Sequence, residues 1–512
     1  MSQSSYIQAQ VFKSPLAIVA GFLLRSRDTQ GKRAKERTEE IQQLRLTVTR
    51  LRRDQLQTEH ELAQAKLRIE KLQVENASLR NQPPSLPDDP RLPLHSYGPK
   101  MISLCVNLAR SIGLRPAETA LQIVFDGLDV TTKIPDWTTI RSWLCRVGVA
   151  AVEEPVEPAD DWIWMADHSN QIGPEKAFAI LGIRASQLPK PGQTIRHEDM
   201  RVLAVIPGVQ WKREDVAREY TALAERIGAP MAILVDGAVE LREGAEALEK
   251  QRKNIFVVND FKHYAANVLK RVVGKDERFE KFLSSIGRTR SAIQQTELAH
   301  LTPPAQKPKA RFMNLGATLL WATMVLWQLS NPNSEGRREI STKRMNEKLG
   351  WLRSFRDDVR RWNGCQAVVS QSVTLINEQG LFVGAADQLQ EAIADLAIDD
   401  ASNQVAEQLV QFVRDSEAQL DKGMRLPMST EILESSFGLY KRLERQHSKG
   451  GFTSLLAAFG ALLRPTTPET IAKSFARVKV RHMRQWIVNN LGSTLASKRN
   501  SAYREFATAR GP

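Results

Sequence analysis

Cysteine is scarce in this chain: Cys105, Cys145 and Cys365 are the only three among 512 residues, and no two form a C-x-x-C pair. That excludes a disulfide framework and a cysteine-built zinc site, and it suits a reducing compartment. No glycine-rich phosphate loop follows any strand-like run, which argues against a nucleotide-binding enzyme. Long hydrophobic runs are missing as well. Pro15–Leu24 is too short to span a bilayer, and Leu315–Leu329 is short and broken by Thr318, Thr323 and Gln328. Lys13 and the small residues after it are similar to a signal-peptide core, but the basic coil downstream argues against export. A short packed helix and a cytoplasmic protein are expected instead. An excess of acid is also absent. The formal net charge is +14 and the pI about 9.7, which points to a polyanionic partner, most simply nucleic acid.

What is present is the composition of a folded protein, 42% hydrophobic and 25% charged, long enough for three or four structural units. Residues 38–82 carry a heptad. Position a holds Ile41, Val48, Gln55, Leu62, Ile69 and Asn76, and position d holds Leu44, Leu51, Thr58, Ala65, Leu72 and Leu79. Apolar residues dominate both series and the flanks are charged, the pattern of a two-stranded coiled coil and hence a homodimer. Asn76 is the kind of polar a-position residue that fixes register. Ahead of the coil, residues 1–37 form a basic segment with a short apolar helix. Behind it, 83–98 is a Pro-rich linker.

Residues 99–155 read as three short helices, the last opened by Pro135-Asp136 and carrying Thr138, Thr139, Arg141 and Arg146. Two short helices followed by a polar, Arg-bearing one fit a helix-turn-helix-like DNA-binding domain with the last helix as its reader. An ordinary three-helix bundle is the plainer alternative. From 160 the period changes. Strands are expected over 161–167, 176–182, 201–206, 231–235 and 255–258, with a helix over about 212–227. Three strands able to form a meander, followed by alternating parallel units, match a ribonuclease H-like α/β core (βββαβαβα), here the first part over 156–274. Residues 275–428 read as an all-helical insertion, with an apolar helix near 311–329 and charged helices near 338–362 and 385–420. A further helix lies within 429–450, and 451–512 is basic and helical.

Two apolar runs end in carboxylates, Asp236 and Asp260, and Asp167 is expected to close the first strand. Carboxylates at the carboxyl ends of such strands lie where open α/β sheets place ligands. A third carboxylate is sought in Ser429-Thr-Glu-Ile-Leu-Glu-Ser-Ser-Phe-Gly-Leu-Tyr-Lys-Arg-Leu-Glu-Arg, which offers Glu431, Glu434 and Glu444. In three features the chain resembles DDE transposases of bacterial insertion sequences. They are Asp167 with Asp236 on their strands, the Asp260-Phe-Lys-His263 sequence similar to the C/D-x-x-H motif of the hAT and Mutator groups, and Glu434 followed by Lys441 at Glu-x6-Lys spacing. The resemblance covers about 160–446. It implies catalytic, metal-binding roles for Asp167, Asp236 and Glu434, with two Mg²⁺ or Mn²⁺ ions per site. It also implies a supporting role for Asp260 and His263, and phosphate contacts from Lys441 and Arg442. Double-stranded DNA, as terminal inverted repeats and as target, would be the partner. A nuclease or resolvase of the same fold, or an inactive DNA-binding regulator, is the alternative.

Glu431 is the rival third ligand, His168 and Ser169 are open to either a turn role or substrate contact, and Trp321, Trp327, Trp351 and Trp362 are expected in the core, with stacking on an unpaired base as the other use.

Overall fold

The computed structural model describes residues 16–80, 89–130, 132–170, 176–306, 312, 315–335, 340–446, 454–491 and 495–509. The chain divides into two units, Met1–Pro87 and Asp88–Pro512. In the first, the heptad segment is one continuous helix, α1 (Leu16–Arg80). Its seam residues Ile41, Leu44, Val48, Leu51, Leu62, Ile69 and Leu72 are all exposed within the single chain. The side chain of Asn76 lies outside the described residues, as do residues 1–15 and 81–88 of the expected basic segment and linker.

The second unit opens with α2 (Pro99–Ile112), α3 (Leu114–Gly127) and α4 (Trp137–Val152). A five-stranded sheet follows: β1 (Trp162–Asn170), β2 (Lys176–Arg184), β3 (Arg201–Gly208), then α5 (Arg213–Ile227), β4 (Ala232–Val235), α6 (Val239–Arg252), β5 (Phe256–Asn259) and α7 (Phe261–Val272). The strand order is β3-β2-β1-β4-β5, antiparallel across the first three and parallel from β1 to β4 to β5. One expectation needs correcting. Asp167 does not close β1; the strand runs on to Asn170, because antiparallel pairing with β2 holds Asp167 opposite Ala179 and continues to the Asn170–Lys176 pair.

Alternation along the strands sorts their side chains between two cores. Trp162, Trp164, Phe178, Ile180, Ile233 and Val235 pack against Tyr220 and Leu223 of α5 and Leu241 and Leu248 of α6. Ile163, Met165, Ala179, Leu181, Ala232 and Leu234 face the larger helical core.

The expected insertion comprises α8 (Glu277–Ile293), α9 (Leu315–Ser330), α10 (Thr342–Leu349), α11 (Arg356–Gln379), α12 (Ala385–Ile393) and α13 (Asp400–Glu417). The two long charged helices are each split. A 3₁₀ stretch at Gly350–Phe355 interrupts the first, and the second restarts at Asp399, whose carboxylate caps the Ser402 amide at 2.8 Å. A bridge between Leu381 and Leu426 closes the insertion and returns the chain to α14 (Glu431–Arg445). Then come α15 (Phe459–Leu463), α16 (Pro468–Arg477), α17 (Val480–Leu491) and α18 (Leu495–Ala509).

The helix read as a DNA reader is the hub of this unit, and of its four reader residues Arg146 is buried. On α4, Ile140, Trp143–Val147, Gly148, Val149 and Ala150 are all buried, so the helix has no broad solvent face. It packs on α2, α3, α15, α16 and α17. Arg146 is 4% exposed and points inward. Its guanidinium donates to the Phe475 carbonyl at 2.6 Å and to that of Val478, and lies 3.8 Å over the Phe475 ring. Arg141 donates to Ser454 Oγ, while the Thr138 and Thr139 hydroxyls bond the capping Asp136 carboxylate. These side chains are spent on folding rather than held out to bases.

Gly148 marks the closest approach. A methyl group there would lie 2.6 Å from Cα of Ala458 and collide with the Ala457 carbonyl, and one on Gly460 would lie 2.8 Å from the Gly148 carbonyl. Gly148→Ala is therefore expected to destabilise the second unit by about 2–3 kcal/mol, read as a lower urea midpoint. An unchanged midpoint would show that the two backbones are not in contact.

Candidate active site

Register and parity bring Asp167 and Asp236 together. Ile163 and Met165 on β1, and Ala232 and Leu234 on β4, face the larger core, so alternation sends Asp167 and Asp236 to that same side. The parallel register ends with Ala166 beside Val235, which makes the two aspartates the next pair. Asp167 is buried and accepts the His168 amide at 2.5 Å. Asp236 accepts the Ala238 amide at 2.9 Å across a turn made by Gly237 at φ 90°. Burial, then the neighbouring Asp236 and Glu434 carboxylates, push the Asp167 carboxyl up to about 7.

The third side of the site is built by α7 and α14. Asp260 caps α7, accepting the His263 amide at 2.8 Å, and its other oxygen accepts the Thr430 amide at 2.6 Å and the Thr430 hydroxyl at 2.8 Å. One buried carboxylate thus latches the start of α7 to the start of α14. His263 continues the chain of contacts: Nδ1 lies 3.1 Å from Asp260, at ion-pair distance although off the hydrogen-bond direction, and Nε2 lies 3.4 Å from Glu434. The Asp260 carboxylate beside Nδ1, opposed by burial and helped by the Glu434 and Asp236 charges, raises His263 to about 9. Burial would raise the Asp260 carboxyl, but His263 and the Thr430 and His263 amides outweigh it and hold Asp260 below the usual range. Burial raises Glu434, partly offset by His263 and Lys262.

Glu431 is placed differently. It pairs with the Lys262 ammonium and accepts Asn377 Nδ2 at 3.4 Å, so it braces α14 against α7 and α11. Glu434, not Glu431, is the glutamate whose charge reaches Asp167.

The donor set suits a hard divalent cation at the aspartate pair: two carboxylate side chains meet on one face, and their repulsion is relieved only weakly by His263. Glu434 is drawn aside to His263, and among the described residues no three His, Cys, Asp or Glu side chains close into a metal cage. The pair fits a cation as it stands; Glu434 would have to swing from His263 to complete the set.

A Drosophila P element transposase strand transfer complex is among the solved structures to which this chain is similar, with a TM-score of 0.37 and 12% identity. The alignment covers 74% of this chain and 93% of that one. So loose a likeness carries no argument here. No protein-family profile and no curated protein sequence matches the chain.

Around the carboxylates, His168 is excluded by parity. It points to the opposite face, stacks 5.8 Å from Trp211, and burial holds its imidazole down at about 4. Ser169 has the parity of Asp167 and is buried, with no hydrogen-bond partner for its hydroxyl among the described residues. Lys441 is half-buried two turns beyond Glu434, while Arg442 is exposed and reaches the Arg110 carbonyl at 3.4 Å. There a groove of about 510 Å³ is lined by Arg110, Arg196, His197, Glu431 and Ser435. Burial and then the Arg442 charge hold the Arg110 guanidinium below its usual range. The first three lie far from α14 in sequence and carry no motif, so no pattern pointed to this groove, in which Glu198 and Glu431 balance the two arginines. Of the insertion's tryptophans, Trp321 and Trp362 are buried and Trp351 donates to Thr289 Oγ1 at 3.0 Å, whereas Trp327 is 57% exposed.

Proposed function

We propose that this chain is a DDE-type DNA transposase of a bacterial insertion sequence, with a ribonuclease H-like core split by an all-helical insertion. The observation that carries the reading is the pairing of Asp167 with Asp236 on adjacent parallel strands, facing Glu434 held by the Asp260–His263 latch. Asp167, Asp236 and Glu434 would hold Mg²⁺ or Mn²⁺. Two such ions would supply activation of the attacking oxygen and neutralisation of the leaving one. The chain's own residues then do the rest. Protonated His263 holds Glu434 to one side of the aspartates, from where it would swing to complete the set, and Lys441 and Arg442 bind backbone phosphates, which positions the duplex without reading its sequence. Water is the first nucleophile, releasing a 3′-OH at the element's end, and that hydroxyl attacks target DNA second. The exposed seam of α1 pairs two copies, as synapsis of two ends requires.

The test uses labelled duplexes bearing the sequences that flank the coding region, with Mg²⁺ or Mn²⁺. The parent chain cleaves and joins ends, Glu434→Gln loses both by at least about 10³-fold, and Glu431→Gln keeps most activity. Cleavage without joining would make the chain a nuclease or resolvase. Binding without either would leave a DNA-binding regulator, and full activity in Glu434→Gln would remove Glu434 from the site.

A further inference from the structure

The helix that carries the coil does not begin with the coil. Residues 25–37 of α1 precede the first seam residue, Ile41, without a break in the helix. This stretch holds Arg25, Arg27, Lys32, Arg33, Lys35 and Arg37 against only Asp28 and Glu36. Among the described residues, one ion pair involves these cations, Arg27 with Asp28 at 3.2 Å, and both partners are well exposed. A helix carrying this much unneutralised charge repels itself, and it invites an anionic partner.

Extending the heptad backward shows what changes at residue 38. The a and d positions before Ile41 are Arg27, Gln30, Ala34 and Arg37. Two copies paired through Leu44, Leu51 and Leu62 would therefore face each other with Arg37 against Arg37 and Arg27 against Arg27. Like charges at the closest approach force the helices apart where the apolar seam ends. The outcome is a fork: a paired stem, and two diverging cationic arms each about 20 Å long at 1.5 Å per residue.

We infer that residues 25–37 of α1 are a duplex-DNA-binding arm that enters the major groove, with the coil setting the separation of two half-sites. Continuous helices forking from a coiled coil into adjacent major grooves are an established way of holding DNA. The cations suit it because they are distributed all around the helix, so an arm lying in the groove meets phosphates on both walls. An anionic membrane surface is the competing occupant, since Ile18, Phe22 and Leu23 just upstream are exposed. It fits less well: an interfacial helix needs an apolar face opposite its cations, and between 25 and 37 only Ala34 is apolar. The inference moves sequence reading from the buried α4 to an element that is free to reach bases. It rests on the proposed function only for DNA as partner.

The experiment uses the full chain in EDTA, where binding is separated from cleavage, and a 30-base-pair random-sequence duplex followed by fluorescence anisotropy. Replacing Arg25, Arg27, Lys32, Arg33, Lys35 and Arg37 with Gln is expected to weaken binding at least 30-fold at about 0.1 M salt. It should also reduce the slope of log K against log salt by three or more, at roughly 0.9 per phosphate contact. Leu44→Gln with Leu51→Gln and Leu62→Gln, which removes no cation, is expected to give monomers in light scattering and binding at least ten-fold weaker. The inference is overturned if the six-Gln chain binds with unchanged affinity and salt slope, or if it loses only retention on phosphatidylserine vesicles while duplex binding persists. Asp167→Asn should leave this binding intact. A chain that binds through the arm yet never cleaves with Mg²⁺ therefore sinks the catalytic reading alone, and one that cleaves while ignoring the six substitutions sinks the arm alone.

Discussion

Asp167→Asn is expected to abolish Mg²⁺-dependent strand cleavage and, in the absence of metal, to make the protein more stable. Both effects have one cause. Asp167 is buried next to Asp236 on the neighbouring strand, and burial together with that charge raises its carboxyl to about 7. A carboxyl whose folded pKa lies above its unfolded value of about 3.9 binds its proton more tightly in the folded state, so the fold loses stability as pH rises from about 4 through 7. The ionised carboxylate therefore costs the fold on the order of 1 kcal/mol or more at pH 8. Asn keeps the shape and cannot ionise. The melting temperature of Asp167→Asn in EDTA should therefore exceed that of the parent by several degrees at pH 8 and converge with it near pH 4. Adding Mg²⁺ should raise the parent's melting temperature and not the variant's, because only the parent gains a ligand that binds the folded state. Cleavage should fall by at least about 10³-fold, equivalent to roughly 4 kcal/mol of lost barrier lowering. A variant less stable than the parent at pH 8 in EDTA would show that the aspartates are not pressed together.

Asp260→Ala should have the opposite balance, with the largest loss of stability of any single change around the site. Asp260 is 1% exposed and serves three donors and the His263 ring at once. Its removal leaves a charged, largely buried imidazole and an unsatisfied Thr430 amide, and truncating one partner of a buried pair costs about 3–5 kcal/mol. The pH signature follows from the two shifts. His263, raised to about 9, contributes stability that is complete below its unfolded value of about 6.5 and disappears as pH rises through 9. Asp260, held low, contributes stability present above about pH 4 and lost as pH falls through its folded value. Urea midpoints of the parent should thus decline between about pH 6.5 and 9, and those of Asp260→Ala should be lower throughout and no longer show that decline. Activity should fall too, because the start of α14, which carries Glu434, loses its tie to the start of α7. An Asp260→Ala protein as stable as the parent between pH 6 and 8 would reduce Asp260 to an ordinary helix cap.

Much of the core was legible because it is written in short-range patterns. The strand runs announce themselves by apolar stretches with turn residues behind them, and Asp260 and His263 are three apart, so a cap-and-side-chain pairing can be read from spacing alone. The choice between Glu431 and Glu434 was not legible. Both are in the first turn of α14, and what separates them is Lys262 on α7, which engages Glu431, and His263, which faces Glu434. Arg146 shows the same limit in reverse. An arginine on a helix reads as a surface cation until the tertiary fold supplies the Phe475 ring and two carbonyls that accept it inside.

By itself the sequence determined the helix of α1 with its cationic stretch, the strand periodicity, the carboxylates at the strands and the cap of α7, since each depends on residues within a few positions of one another. The tertiary structure alone decided that Asp167 and Asp236 share a face, that Asp260 reaches Thr430, which glutamate approaches the pair, and that α4 is core rather than surface. Those outcomes are set by strand register and by helix packing across the long insertion, where contact partners lie hundreds of residues apart and no local period records them.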